Sequence, residues 1–322
     1  MTVRTRSPAS LAPAALLVFG GIVSVQLGAG LAARLFSQAG PAGVTGLRLW
    51  WAALIMAIAG GRTLASTLRS VVASRAWHDL AVAVAFGVVL AAMNFSIYQS
   101  FARIPLGVAV TIEFLGPLAV AVASSRRPLD AAWVVLAAAG VVLLTGGGAR
   151  LASGAGAHAG PLAGLSTTET GIACALIAAA CWACYILLSR ATGRRFSGSA
   201  GLGIAMIVAA LLVTGPAIAA AGPALWDPGV VAAGLAVGLL SSVIPYRAEL
   251  EALRRVPTGT FGIWMSLEPA VAALVGLAVL GQTLLARQWL AIGAVIIACA
   301  GAARSGARAR QPGGELPPPP AG

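Results

Sequence analysis

Apolar residues fall along this chain in blocks of about twenty, and polar residues gather between the blocks rather than within them. Ten blocks can be drawn, near 12–30, 43–60, 80–101, 105–123, 130–146, 170–189, 200–221, 229–246, 258–280 and 287–303. A hydrocarbon core about 30 Å thick takes roughly 20 residues of helix to cross, and lipid offers no partner to an unpaired backbone group. The pattern therefore predicts ten transmembrane helices joined by short polar turns. Ala, Gly and Val dominate the blocks, and small residues let neighbouring helices come close. Gly234 and Gly238 form one small-xxx-small pair of this kind in the eighth block. The first block is not read as a cleaved signal peptide, because no convincing small-residue cleavage site follows it and nine further blocks do.

Composition agrees with lipid as the solvent. Hydrophobic residues make up 59% of the 322 and charged residues 9%, with a mean hydropathy of +0.93; an ordinary soluble domain carries about 25% charged residues. The net charge of +12 would point to nucleic acid if it were clustered on a soluble surface. Instead every basic residue is Arg, and with the N-terminus inside, sixteen of the 21 fall in cytoplasmic segments and four in outer loops. That bias places both termini in the cytoplasm and makes Arg126, Arg127, Arg194 and Arg195 topology signals that meet lipid headgroups. No nucleic-acid partner is expected. Arg48, in the second block, reads as an anchor near its outer end. Cys174, Cys181, Cys184 and Cys299 all lie within blocks, and the CxxC spacing at 181–184 lacks the βαβ surroundings of a redox motif, so they read as small packing residues.

The Gly/Ala-rich stretch after Gly146 divides the chain into halves that resemble each other. Arg103, Ile104, Pro105 and Gly107 stand 152 residues before Arg255, Val256, Pro257 and Gly259, and the same offset carries Pro117 onto Pro269. Five is an odd number of crossings, so the second half would sit inverted relative to the first. Inverted repeats suit a central site with two alternately open mouths. The division predicted is a cytoplasmic tail (1–11), a five-helix repeat (12–146), an outer linker (147–169), a second five-helix repeat (170–303) and a disordered cytoplasmic tail (304–322).

Several stretches are more specific than hydrophobicity requires: SVQLGAGLAARLF, AGPAGVTGLRL, MNFSIYQSFARIPLGVAVTIEFLGPLAVAVASSRRP, ACWACYIL and VIPYRAELEALRRVPTGTFGIWMSLEPAVAAL. On these the sequence resembles the threonine/homoserine exporters of the drug/metabolite transporter superfamily, which carry two EamA-type domains. The resemblance runs over roughly residues 15–303. It implies an all-α protein of the bacterial cytoplasmic (inner) membrane. It further implies a secondary transporter that exports small amino acids by alternating access, driven by the proton motive force, with the amino acid, protons and the lipid bilayer as its partners. After Ile244-Pro245-Tyr246 the chain departs from the family in carrying Arg247 and Glu251, which read as an i, i+4 gate or a surface pair at the cytoplasmic mouth.

Polar side chains at membrane depth cost about 3 kcal/mol when charged, so each asks for a reason. Glu113 stands near the middle of the fourth block, and Pro117 removes the N–H that would bond its carbonyl. Acid and carbonyl together could cradle an ammonium group, or the acid could take up a proton or tie two helices together. The second half has Glu268 immediately before Pro269, although strict offset puts Met265 opposite Glu113. Phe261, Trp264 and Glu268 follow i, i+3, i+7 spacing and should share a face. Asn94 and Tyr98 share a face of the third helix, and Ser242, Tyr246 and Glu249 one of the eighth, beside Pro245 as a kink. These side chains could bind an amino acid or merely hydrogen-bond between helices. Gln26, Trp182 and Tyr185 could line the same cavity. No cofactor or metal site is expected: His78 and His158, the two histidines, fall in predicted loops, and no HExxH or GxSxG motif is present. An integral-membrane enzyme is the rival class, and export of other metabolites or drugs the rival within transport; aromatic residues, at 6%, favour a small polar cargo.

Overall fold

The structure is a computed structural model and describes residues 11–124, 129–145, 166–196 and 200–309. Arg126, Arg127, His158, most of the predicted linker and the ends of both tails lie outside these residues. The described residues are helix and turn, with no strand. In chain order the helices are α1 (Leu11–Ser74), α2 (Trp77–Phe101), α3 (Leu106–Glu113), α4 (Leu115–Ala123), α5 (Leu129–Thr145), α6 (Thr167–Gly193), α7 (Ala200–Ala221), α8 (Pro228–Gly238), α9 (Ile244–Arg255), α10 (Thr258–Met265), α11 (Glu268–Leu280) and α12 (Ala286–Ala309). Eight stretches are long and apolar enough to cross a membrane, and Ala132–Leu144 is a shorter apolar helix.

Helix α1 is a hairpin. Gly40 takes φ +63° and ψ 164°, a left-handed conformation that glycine alone adopts without strain, and Pro41 after it has no N–H to continue the ladder. On the first leg, 11–39, Gly21 lies against Ala248 and Gly28 against Ser241; on the second, 41–74, Leu47 meets Gly234 and Trp51 meets Gly238. Partner numbers fall along one leg and rise along the other, so the legs run in opposite directions. The second leg and α12 both outrun their predicted ends, reaching Ser74 and Ala309 rather than 60 and 303. His78 sits in the first turn of α2 rather than in a loop.

Two spans drawn as continuous in the sequence are broken. The fourth stops at Phe114 between α3 and α4, and the ninth at Ser266–Leu267 between α10 and α11. Pro117 and Pro269 stand in the first turn after each break, where a missing N–H costs nothing. Backbone angles recur at offset 152 around these breaks: Pro105 (φ −55°, ψ 142°) caps α3 as Pro257 (φ −61°, ψ 145°) caps α10, and Phe114 and Ser266 both end those helices at φ −63°, ψ −12°. A single π-turn, Leu239–Val243, joins α8 to α9 just before Pro245.

The packing differs between the two ends of the bundle. At the end of Gly40, α3 lies directly on α11, where a Cβ on Gly107 would meet the Ala273 Cα at 2.7 Å. Gly281 ends α11 at φ +67°, and Gln282 beyond it folds back so that its Oε1 accepts from the Leu106 N–H at 2.9 Å. One of the orphan donors that open α3 is thus capped from the other half of the chain. At the opposite end, among the described residues, α4 makes no comparable packing against α10.

Candidate functional site

A cavity of roughly 210 Å³ opens at mid-depth of the bundle, where the broken helices meet the middles of the long ones. Gln26 and Arg48 reach it from the two legs of α1, Asn94 from α2, Glu113 from the end of α3, Trp182 and Tyr185 from α6, and Ser241, Pro245, Tyr246 and Glu249 from the π-turn and α9. Met265 and Glu268, on either side of the second break, complete it. Three carboxylates therefore face one small space. Glu268 is buried, and its Oε1 accepts from Gln26 Nε2 at 2.9 Å; its Oε2 and the Gln26 Oε1 are buried without a protein partner. The ion pairs among the described residues involve none of the three acids: they join Asp79 to Arg195 at 3.1 Å, and Glu251 to Arg254 and Arg255.

The neutral side chains fix the walls. Asn94 donates to the Leu90 carbonyl at 2.8 Å, which leaves its amide oxygen for other use. The Trp182 ring stands edge-on to Phe114 at 5.0 Å, holding the first break against α6. Tyr185 and Tyr246 share a hydrogen bond of 2.9 Å between hydroxyls.

The sequence profile of the EamA-like transporter family matches residues 169–304. The threonine/homoserine exporter RhtA of Escherichia coli K12 is 41% identical over 286 residues, covering 89% of this chain and 90% of the relative. RhtA of Salmonella typhimurium LT2 is 39% identical over the same coverage. The chain belongs to the EamA-like transporters, in one family with these RhtA proteins. A solved crystal structure at 22% identity shares the fold, with a TM-score of 0.52 over 94% of this chain and 99% of that one. The protein is thus a multi-pass membrane transporter of the drug/metabolite transporter superfamily.

In this EamA-like transporter seven of the nine expected side chains line one cavity: Gln26, Asn94, Glu113, Trp182, Tyr185, Tyr246 and Glu268. Tyr98 does not; it is fully buried behind the wall, between Phe36 and Phe101. Trp264 does not either, because the break at Ser266–Leu267 ends the helical register that should have aligned it with Glu268. With Phe261 it packs on Val18, Ile22 and Ala252. Pro245 lines the cavity, whereas Pro117 and Pro269 stand outside it, in the first turns of α4 and α11. The π-turn adds one residue to its turn of helix, so that Ser241 rather than Ser242 faces inward with Tyr246 and Glu249. Glu251 bonds Arg255 at 2.7 Å on the surface rather than Arg247, so no gate forms there.

Arg48 is not an outer anchor. Its side chain enters the cavity, where Nη1 donates to the Tyr98 hydroxyl at 3.3 Å and Nη2 to the Ser241 carbonyl at 3.2 Å. That carbonyl lies four residues before Pro245, which has no N–H to bond it. The sequence signal was present in Pro245, but the partner stands on a helix 193 residues away.

Proposed function

We propose that this chain exports small amino acids of the threonine and homoserine kind from the cytoplasm by alternating access, coupled to the proton motive force. The observation that carries the reading is a cavity with three carboxylates at membrane depth, in a chain 41% identical to an exporter of that name. Carboxylates in such a place attract an ammonium group and can take up protons. The cavity volume of roughly 210 Å³ lies below the roughly 300–1,000 Å³ of pockets for drug-sized ligands, which favours a small cargo over the drugs exported elsewhere in the superfamily. Gln26, Asn94, Glu113, Trp182, Tyr185, Tyr246 and Glu268 are its proposed contacts, and Glu113 is the leading group for substrate or proton.

The architecture that goes with this function is ten crossings in two inverted repeats, 12–146 and 170–303, linked by 147–169. The α1 hairpin, the short α5 and the equal backbone angles at offset 152 support it. The arginine distribution supports cytoplasmic termini in a bacterial inner membrane. With that orientation the Gly40 end faces out, so the close packing of α3 on α11 shuts the outer mouth and the looser end opens towards the cytoplasm. This is the state in which an exporter collects its cargo.

Glu113→Gln tests the reading, because it keeps the shape and removes the charge. In proteoliposomes loaded with radiolabelled threonine, exchange should fall at least tenfold while the purified protein elutes as a single species. Exchange at the wild-type rate would remove Glu113 from the site and, with it, the proposed coupling.

A further inference from the structure

The geometry assigns Arg48 as the group that binds the carboxylate of the transported molecule, making the cavity selective for zwitterions with a free carboxylate. This rests on the reading of the cavity as the export site and adds the substrate feature that the acids alone do not specify.

Two fixed contacts hold the guanidinium from behind. Tyr98, fully buried, accepts from Nη1 and lies under the group, with Cζ 5.4 Å from its ring centroid. The Ser241 carbonyl, freed by Pro245, accepts from Nη2. A guanidinium has five N–H donors, and these contacts use two of them. Nε is buried and has no protein partner, as is the neighbouring Ser241 Oγ. Arg48 is also absent from the ion pairs among the described residues. A charge at membrane depth marks a binding or transport path. The planar fork matches the two oxygens of a carboxylate, which a lysine in its place would meet only as a point charge.

Carboxylate and ammonium would then be read by different side chains of one cavity. Arg48 and the Ser241 hydroxyl take the carboxylate; Glu113 and the Gln26–Glu268 pair take the ammonium group. An amine without a carboxylate, or an amino-acid amide, satisfies only the acids and leaves the guanidinium desolvated. The cavity should therefore refuse it, even where the ammonium and hydroxyl groups are those of threonine.

The test compares threonine with threoninamide as competitors of labelled threonine counterflow in proteoliposomes. The wild type should prefer threonine at least 30-fold. Arg48→Gln should bring the two within about threefold of each other, and Arg48→Lys should recover an intermediate preference. An equal affinity of the wild type for the two compounds would overturn the assignment without any variant. So would an Arg48→Gln protein that keeps the wild-type ratio. Should the wild type move no threonine, the export reading falls, and the Arg48 assignment is then read by thermal shift of the purified protein. There a panel of amino acids should stabilise the wild type and their amides should not; equal shifts would overturn the assignment independently.

Discussion

Tyr98 touches no cavity, yet its hydroxyl meets the guanidinium that does. Removing the hydroxyl with Tyr98→Phe keeps the ring between Phe36 and Phe101 and deletes one acceptor. A hydrogen bond to a charged group contributes about 1.5–3 kcal/mol. KM for threonine should therefore rise roughly tenfold or more, with the melting temperature within a few degrees of wild type; a fall in stability with unchanged KM would make Tyr98 a packing residue. Glu251→Gln is the contrast. Its partners Arg254 and Arg255 are exposed on the same helix, and exposed pairs of this kind contribute little, so exchange should stay at the wild-type rate. The acids, Asn94, Tyr185 and Tyr246 were legible in the sequence because a polar group in an apolar block stands out. Arg48 was misread because an arginine near the end of a block can snorkel to a headgroup, and its carbonyl partner is visible only once the helices have packed. Trp264 was misplaced for the opposite reason: spacing assumes a continuous helix, and the chain breaks before Glu268.

Breaks and caps belong to the elements. Among the described residues eight apolar stretches are of crossing length, and that the chain holds such helices was legible from the blocks. The breaks at Phe114 and Ser266–Leu267 were not, because proline marks only the start of the next helix and leaves open where the previous one stops. The Gln282 cap on α3 was hidden as well, being a bond across 176 residues that depends on the left-handed Gly281. It exists only while α3 and α11 are together. Gln282→Leu should cost that arrangement about 1 kcal/mol, roughly a fivefold shift in the balance of conformers away from it. Labelling of a cysteine introduced at the Gly40 end beside α3 and α11, with a membrane-impermeant reagent, should rise accordingly. Unchanged labelling would mean that the cap orders the turn and does not hold the mouth.

Across the whole molecule, the offset of 152 read from five residue pairs reappears in backbone angles at Pro105 and Pro257. The matched residues stand at helix starts and breaks, which need particular residues. What the sequence could not show is the difference between the ends, since it depends on how α3, α4, α10 and α11 pack. The orientation is open to a direct check: a reporter fused after Gly322 should be active in the cytoplasm, and periplasmic activity there would reverse the assignment of the mouths.

Gly40 gives the first hairpin a further property. Arg48 lies eight residues past it and Gln26 fourteen before it, so at 1.5 Å per residue their backbones hang about 12 and 21 Å below a single-residue bend. The two side chains assigned to the cargo's two charged groups are thus mounted on one clip, and their bonds to Glu268 and to the Ser241 carbonyl splice that clip to the other half of the protein. A molecule held by both would brace the two legs of the clip against each other.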